Sequence, residues 1–283
     1  MVKNLALGLI LGGALGFIGQ RTRFLTWSGA LALTLMSALV FAANGWTWGA
    51  PLLLVVASEN IWARYRASRK EPLGDRFRQG ARRGWPALFA RIGWASVLAL
   101  LYALAAPTKG IHIAFIGALA TAAADSWATE LGVLSAQPPR SLLTWRRVKA
   151  GHEGAISVLG LVAALGASWL TGFAGLLCQA IASWLQRSLV ERAFLWLPLA
   201  ALLGGTAGCL LDSFLGATAQ GIYYCEHCNE RSESRLHSCG REAEQIRGWA
   251  WLTNDGINFV SSVVGAAVAV GAVAWLAQTS LRW

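Results

Sequence analysis

Residues 111–134 read IHIAFIGALATAAADSWATELGVL, an apolar run long enough to cross a bilayer as a helix. Two carboxylates, Asp125 and Glu130, sit inside it. On insertion scales a charged side chain in mid-span costs about 2.5–3.5 kcal/mol, so such residues persist mainly where they do chemistry or move ions. The stretch therefore predicts both a membrane-embedded helix and a working site on it. Its signature returns once: Ala124-Asp125-Ser126-Trp127 is echoed by Leu211-Asp212-Ser213-Phe214, again closing a Gly/Ala-rich apolar run. A third acid, Asp255, lies in Trp251-Leu-Thr-Asn-Asp-Gly-Ile-Asn258, where another apolar run begins.

Composition agrees. The chain has 283 residues, 55% hydrophobic and 13% charged, where a soluble domain carries about 25% charged residues. With a mean hydropathy of +0.49 it reads as an all-α, polytopic membrane bundle. Apolar runs near 4–19, 24–43, 47–63, 85–106, 110–134, 155–180, 194–220 and 254–277 predict about eight spans. The first resembles a signal peptide, but Gly12, Gly13 and Gly16 are spaced for helix packing and no small-residue cleavage site follows. It is read as a retained span. The organisation expected is N-terminal transmembrane helices over 1–63, a basic loop over 64–84, and a catalytic membrane core over 85–283 with a Cys/His loop at 221–250.

The net charge of +10 is concentrated in two short loops. One carries Arg64, Arg66, Arg69, Lys70, Arg76, Arg78, Arg82 and Arg83; the other carries Arg140, Arg146, Arg147 and Lys149. No basic domain stands outside the membrane, so nucleic-acid binding is excluded and the charge is a topology signal. Lys and Arg collect on the cytoplasmic side, which puts both termini outside and the loop 221–250 inside. That assignment requires 155–185 to be one long span and not a hairpin turning at Thr171-Gly172. It brings Asp125, Asp212 and Asp255 towards one face. Two units of descending span, polar loop and rising span suggest an internal parallel repeat.

Asp125, Glu130, Asp212 and Asp255 are the candidate catalytic acids, with Asn254, Asn258, Ser126 and Ser213 as polar neighbours. Residues four apart share a helix face, so Ser126 lines up with Glu130 and Asn254 with Asn258. Hard oxygens from Asp125, Asp212 and Asp255 suit Mg²⁺, which keeps waters and takes phosphate oxygens as further ligands. Arg82, Arg83, Arg140, Arg146, Arg147 and Lys149 supply the charge to hold a di- or triphosphate. Glu59 and Asn60 are expected to reach towards the basic loop, Arg91 to serve either as phosphate ligand or as counter-ion, and His112 to be structural. His152 and Glu153 fall on the active face. The alternative for intramembrane acids in repeats is an ion-coupled transporter. No phosphate-binding P-loop, protein-kinase signature or nucleophile elbow occurs in the chain.

The loop Tyr224-Cys225-Glu-His227-Cys228 … His237-Ser-Cys239-Gly240 is a separate element. Cys225-x-x-Cys228 has the spacing with which two thiolates take one tetrahedral zinc, Cys239 and either His237 or His227 completing it. A structural zinc is expected there, with reduced thiols or a redox element as the alternative. Cys178 and Cys209 lie in apolar runs and read as packing residues.

Taken together, these motifs resemble a family of integral membrane proteins that includes the plant phytyl-phosphate kinase and the animal transmembrane protein 19. The matching motifs are Ala124–Gly132, Leu211–Thr218 with Gln220, the Cys/His loop, and 251–258, in that order. The resemblance implies transfer of a phosphoryl group from a nucleoside triphosphate to an isoprenoid monophosphate such as phytyl phosphate, giving the diphosphate. It implies an enzyme of a bacterial inner membrane or thylakoid-type membrane, with the active face cytoplasmic. The isoprenoid tail is expected to lie in a groove opened by Gly117, Ala118, Ala122 and Ala123. Two stretches depart from the family pattern. Arg82-Arg83-Gly84 with Ala87 and Arg91-Ile92 replaces an Arg-Arg-Asp, Gln, Asn-Gly series, and Gly151-His152-Glu153-Gly154 replaces Gly-Thr-Ser/Asn-Gly.

Overall fold

The computed structural model describes residues 2–70, 82–105, 107–152, 154–237 and 239–280. Arg76, Arg78 and Glu153 lie outside the described residues. The helices are α1 (Val2–Arg21), α2 (Trp27–Asn44), α3 (Trp46–Arg64), α4 (Ala67–Lys70), α5 (Trp85–Leu104), α6 (Lys109–Gly132), α7 (Val158–Leu185), α8 (Arg192–Leu195), α9 (Leu197–Thr218) and α10 (Asn254–Ser280). Two short strands, β1 (Arg140–Ser141) and β2 (Ala155–Ile156), pair between α6 and α7. Three more, β3 (Ile222–Cys225), β4 (Glu230–Ser232) and β5 (Glu244–Arg247), form an antiparallel sheet in the order β4-β3-β5 between α9 and α10. Thr26, Thr108 and Ser157 cap α2, α6 and α7 by accepting the amides of Gly29, Ile111 and Gly160.

The chain is an all-α membrane bundle, as expected. Seven helices (α1, α2, α5, α6, α7, α9 and α10) are long and apolar enough to cross a membrane among the described residues. The eighth run expected to span, 47–63, is the helix α3, but it carries Glu59 and Asn60 buried against the bundle and is less apolar than the rest. The main hydrophobic cluster runs from Phe24 to Val273, so the first three helices and the later ones share an interior.

At the centre stands α6, the most buried of the spans, packed against α3, α5, α7, α9 and α10. A helix buried on most of its faces stands in the middle of a bundle, and its Asp125 and Glu130 are then met by charges from neighbouring segments. Small residues let its neighbours close in. A methyl group on Gly117 would lie 2.6 Å from Ala269 Cβ, one on Gly204 2.4 Å from the Gly265 carbonyl, and one on Gly208 2.4 Å from Thr121 Cγ2. This corrects one expectation. Gly117, Ala118, Ala122 and Ala123 are fully packed in the helix crossings and open no groove, because their small size is spent on backbone approach.

Residues 158–185 form one unbroken helix of 28 residues, not a hairpin. At about 1.5 Å per residue that is roughly 42 Å, against about 30 Å of hydrocarbon, so α7 must tilt or project. Thr171-Gly172 marks a contact instead of a turn. Thr171 Oγ1 bonds back to the Ala167 carbonyl at 2.8 Å, and a methyl group on Gly172 would lie 2.5 Å from the Leu197 carbonyl at the start of α9. With α7 crossing once, the end of α6, the start of α7, the end of α9 and the start of α10 gather at one end of the bundle. The units α6–β1–β2–α7 and α9–β3–β4–β5–α10 share element order and the Asp-Ser step; the likeness does not extend to an established repeat.

Candidate active site at the loop-bearing end of the bundle

Three basic side chains reach the acids of α3 and α6 among the described residues. The α1–α2 connection pins Arg83: its amide donates to the Phe24 carbonyl at 3.0 Å and its carbonyl accepts from the Thr26 amide at 3.1 Å. Its guanidinium sits over the Phe24 ring and donates to Glu59 Oε2 at 2.5 Å. Arg91, projecting inward from α5, lies 3.8 Å from the same Glu59 oxygen and donates through Nη2 and Nη1 to Asp125 Oδ2 at 2.8 and 3.3 Å. Lys70 donates to Glu130 at 2.5 Å and to the Trp62 and Ala63 carbonyls at the end of α3. Charges this deep persist only as pairs, since burial of a lone ion costs several kcal/mol. Glu59 reaches the basic loop as expected, and Arg91 takes the counter-ion role of the two foreseen for it.

Beside this network lies a cavity of about 110 Å³. Asp125, Thr129 and Gly132 of α6 form one wall, Gly160, Leu161 and Ala164 of α7 another, and Thr206, Cys209, Leu210, Asp212 and Ser213 of α9 a third. Asn254 at the start of α10, Gln220, and the loop segment carrying Gly151, His152 and Gly154 complete it. Its shape depends on Gly154, which has φ +69° and lies so near α9 that a methyl group would sit 2.3 Å from Ala217 Cβ and 2.8 Å from the Ser213 carbonyl. A side chain there would force the loop off α9. Both hydrogen bonds that Asp125 accepts from Arg91 fall on Oδ2, on the network side.

The expected site residues divide sharply. Asp125, Asp212, Ser213 and Asn254 share the cavity. Asp255 is half-buried next to Asn254 but not part of the cavity wall, and Asn258 is turned back to donate to the Asn254 carbonyl at 3.0 Å. Ser126 is fully buried, with no hydrogen-bond partner for its hydroxyl, and faces away. Glu130 belongs to Lys70, not to the cavity. Arg82 and Lys149 are exposed at the same end of the bundle. His112 is structural, as expected: buried, it accepts from Trp48 Nε1 at 2.9 Å. Sequence reasoning passed over Thr206, Cys209 and Gln220 as site residues. The signal was present for two of them, since 206, 209 and 213 follow helical spacing on the face that carries Asp212.

Of the oxygen donors expected to hold Mg²⁺, Asp125, Asp212 and Asn254 border the cavity, whereas Asp255 and Asn258 do not. Asp125, Asp212 and Asp255 do not close on one another. Among the described residues, the group of His, Cys, Asp or Glu whose ligand atoms all lie within 4.8 Å is Cys225, Cys228, His237 and Cys239. Here His237 stands where the sequence left His237 or His227 open, and His227 is exposed. Cys225 and Cys239 sulfurs are 3.8 Å apart and Cys239 lies 3.1 Å from His237 Nδ1. The imidazole draws the Cys239 thiol down to about 6, while its hydrogen bond to Cys239 pushes Cys228 up to about 11.

Fold and motifs define an integral membrane protein with a polar site between its helices. The chain belongs to the family described as integral membrane protein DUF92, whose model matches residues 10–266. It is similar to Protein PGR of Arabidopsis thaliana, 30% identical over 271 residues that cover 91% of this chain and 92% of that one. It is also similar to an uncharacterized membrane protein of Methanocaldococcus jannaschii, 33% identical over 119 residues covering 41% and 44% of the two chains. A further relative is an uncharacterized membrane protein of Synechocystis, 24% identical over 260 residues covering 91% and 86%. No solved structure matches.

Proposed function

We propose that the chain is an isoprenoid monophosphate kinase, moving a phosphoryl group from a nucleoside triphosphate to a phytyl-type monophosphate. The observation that carries this reading is the composition of the cavity. Asp125 and Asp212 face it together with the N-termini of two long helices, α7 and α10, beneath exposed Arg140, Arg146, Arg147 and Lys149. Helix N-termini and Arg attract phosphate, and carboxylates attract a divalent cation. Joining two anions demands both.

We read the α7–α9 side of the cavity as its route for the lipid tail. Leu161 and Leu210 line it while remaining 42% and 38% exposed on the outer flank between α7 and α9. An isoprenoid tail has a route there, in place of the groove first expected on α6. Asp125, Asp212 and Asn254 are the residues to hold Mg²⁺, which when bound offsets the charge of the phosphates. Ser213 and His152 border the same space, and we assign the exposed Lys149, three residues before His152, to the nucleotide's outer phosphates. By the accumulation of Lys and Arg we assign this end to the cytoplasm.

The test is direct. Purified protein supplied with labelled nucleoside triphosphate, Mg²⁺ and a panel of prenyl monophosphates should yield labelled diphosphate. No transfer with any donor and acceptor sinks the reading. One observation favours a second: the Arg91–Asp125 pair in the bundle interior is the kind of element an ion-coupled transporter uses. A transporter would move its substrate in sealed vesicles under an ion gradient without consuming nucleotide.

A further inference from the structure

The sheet β4-β3-β5 is small, lies outside the bundle, and has little apolar core of its own beyond Tyr223, Cys225 and Ala243. Such a unit needs a staple. Its four sulfur and imidazole ligands come from the end of β3 (Cys225), the turn after it (Cys228) and the segment before β5 (His237, Cys239), all within 4.8 Å. Zinc–sulfur bonds of about 2.3 Å at tetrahedral angles place two sulfurs roughly 3.8 Å apart. Cys225 and Cys239 stand at 3.8 Å. His237 turns Nδ1 towards Cys239 at 3.1 Å, with Glu230 Oε2 near its other ring nitrogen at 3.8 Å.

The same unit is fastened to the site. Arg247 at the end of β5 donates to the Gly216 carbonyl of α9 at 2.6 Å, and Trp249 donates to the Ala219 carbonyl at 2.9 Å. Gly248, at φ +73°, lies against Gln220, where any side chain would strike the Gln220 carbonyl. On its other side Arg231 of β4 contacts His152 of the cavity loop at 3.3 Å. The sheet thus touches the end of α9, the approach to α10 and the loop before α7.

We propose that Cys225, Cys228, His237 and Cys239 bind one zinc ion, and that the ion holds this sheet as the clamp across the cavity mouth. The proposal is independent of the kinase reading, because it is read from metal content and proteolysis. Full-length protein purified in detergent without chelator should carry about one zinc per chain. Cys225→Ser and His237→Ala should lose it, whereas His227→Ala and Cys178→Ser should keep it. If the first two variants do not fold, the wild-type protein decides: exchange of its metal for cobalt should give the absorption of a tetrahedral thiolate site. No zinc in the wild-type protein and no such cobalt spectrum overturns the site; zinc lost in His227→Ala and kept in His237→Ala overturns the ligand set. Stripping the metal from the wild-type protein should speed trypsin cleavage at Arg231, Arg235 and Arg241 at least tenfold, and zinc should restore protection. Cleavage unchanged by the metal overturns the clamp.

Discussion

Asp125 and Asp212 repeat one motif, and the ion pair that Asp125 makes with Arg91 should mark substitutions at that position. Asp125 shares Arg91 with Glu59, the two side chains of the Arg91–Asp125 pair being 9% and 15% exposed. Removing one partner of such a pair costs about 3–5 kcal/mol because the other charge is left buried. Arg91→Ala should therefore lower the thermal midpoint in detergent, as well as activity. Asp125→Asn and Asp212→Asn should both abolish phosphoryl transfer, and Asp125→Asn, which leaves Arg91 with Glu59 at 3.8 Å, should also lower the thermal midpoint; turnover surviving in both would falsify the metal-site reading. Glu130 makes the opposite case. Glu130→Gln should act on stability through Lys70, and removing both as Lys70→Met with Glu130→Leu should cost less than either single change. A double variant that melts as low as the sum of the singles would show that the pair does not act as a unit.

At the scale of elements, the loop before α7 and the α7–α9 flank shape the cavity. Gly154→Ala puts a side chain at positive φ and into Ala217, so a loss of about 1–3 kcal/mol in stability should accompany a fall in turnover. Wild-type turnover and melting would show that the loop does not need to lie against α9. Leu161→Trp should narrow the flank: the apparent Michaelis constant should rise for long prenyl phosphates and stay near its usual value for a short, soluble analogue. An equal rise for both acceptors would place the tail elsewhere. Lys149→Ala should raise the Michaelis constant for nucleotide with a smaller loss of maximal rate.

For the whole molecule, the kinase and transporter readings differ in which face of the membrane reaches the site. A cysteine at position 254, made as Asn254→Cys, should react with thiol reagents from one face only. Nucleotide, Mg²⁺ and prenyl phosphate together should protect it most. Labelling from both faces, alternating with an ion gradient, would replace the kinase by the transporter. The main core from Phe24 to Val273 joins the elements around the site: Arg83 is aimed by the α1–α2 connection, Arg91 by α5, and the sheet is fastened to the end of α9.

Residue order alone determined the membrane bundle, because apolar runs of span length have few other uses, and it marked Asp125, Asp212 and the Cys/His loop, because charge and thiols stand out against that background. It also determined that 158–185 could be one helix, since Thr and Gly inside an apolar run need not turn. Only the tertiary structure decided the partners. Whether Arg91 met a phosphate or a carboxylate depended on where α5 lay against α6, and whether Glu130 joined the site depended on Lys70 reaching it from 60 residues away. His237 displaced His227 for the same reason. Small residues on α6 gave no clue to whether they opened a groove or closed a helix crossing; that depended on Ala269 and Gly265 of α10 arriving opposite Gly117. Periodicity along one helix records which face is apolar, but a pair is made by two elements, and their register exists only once the bundle is packed.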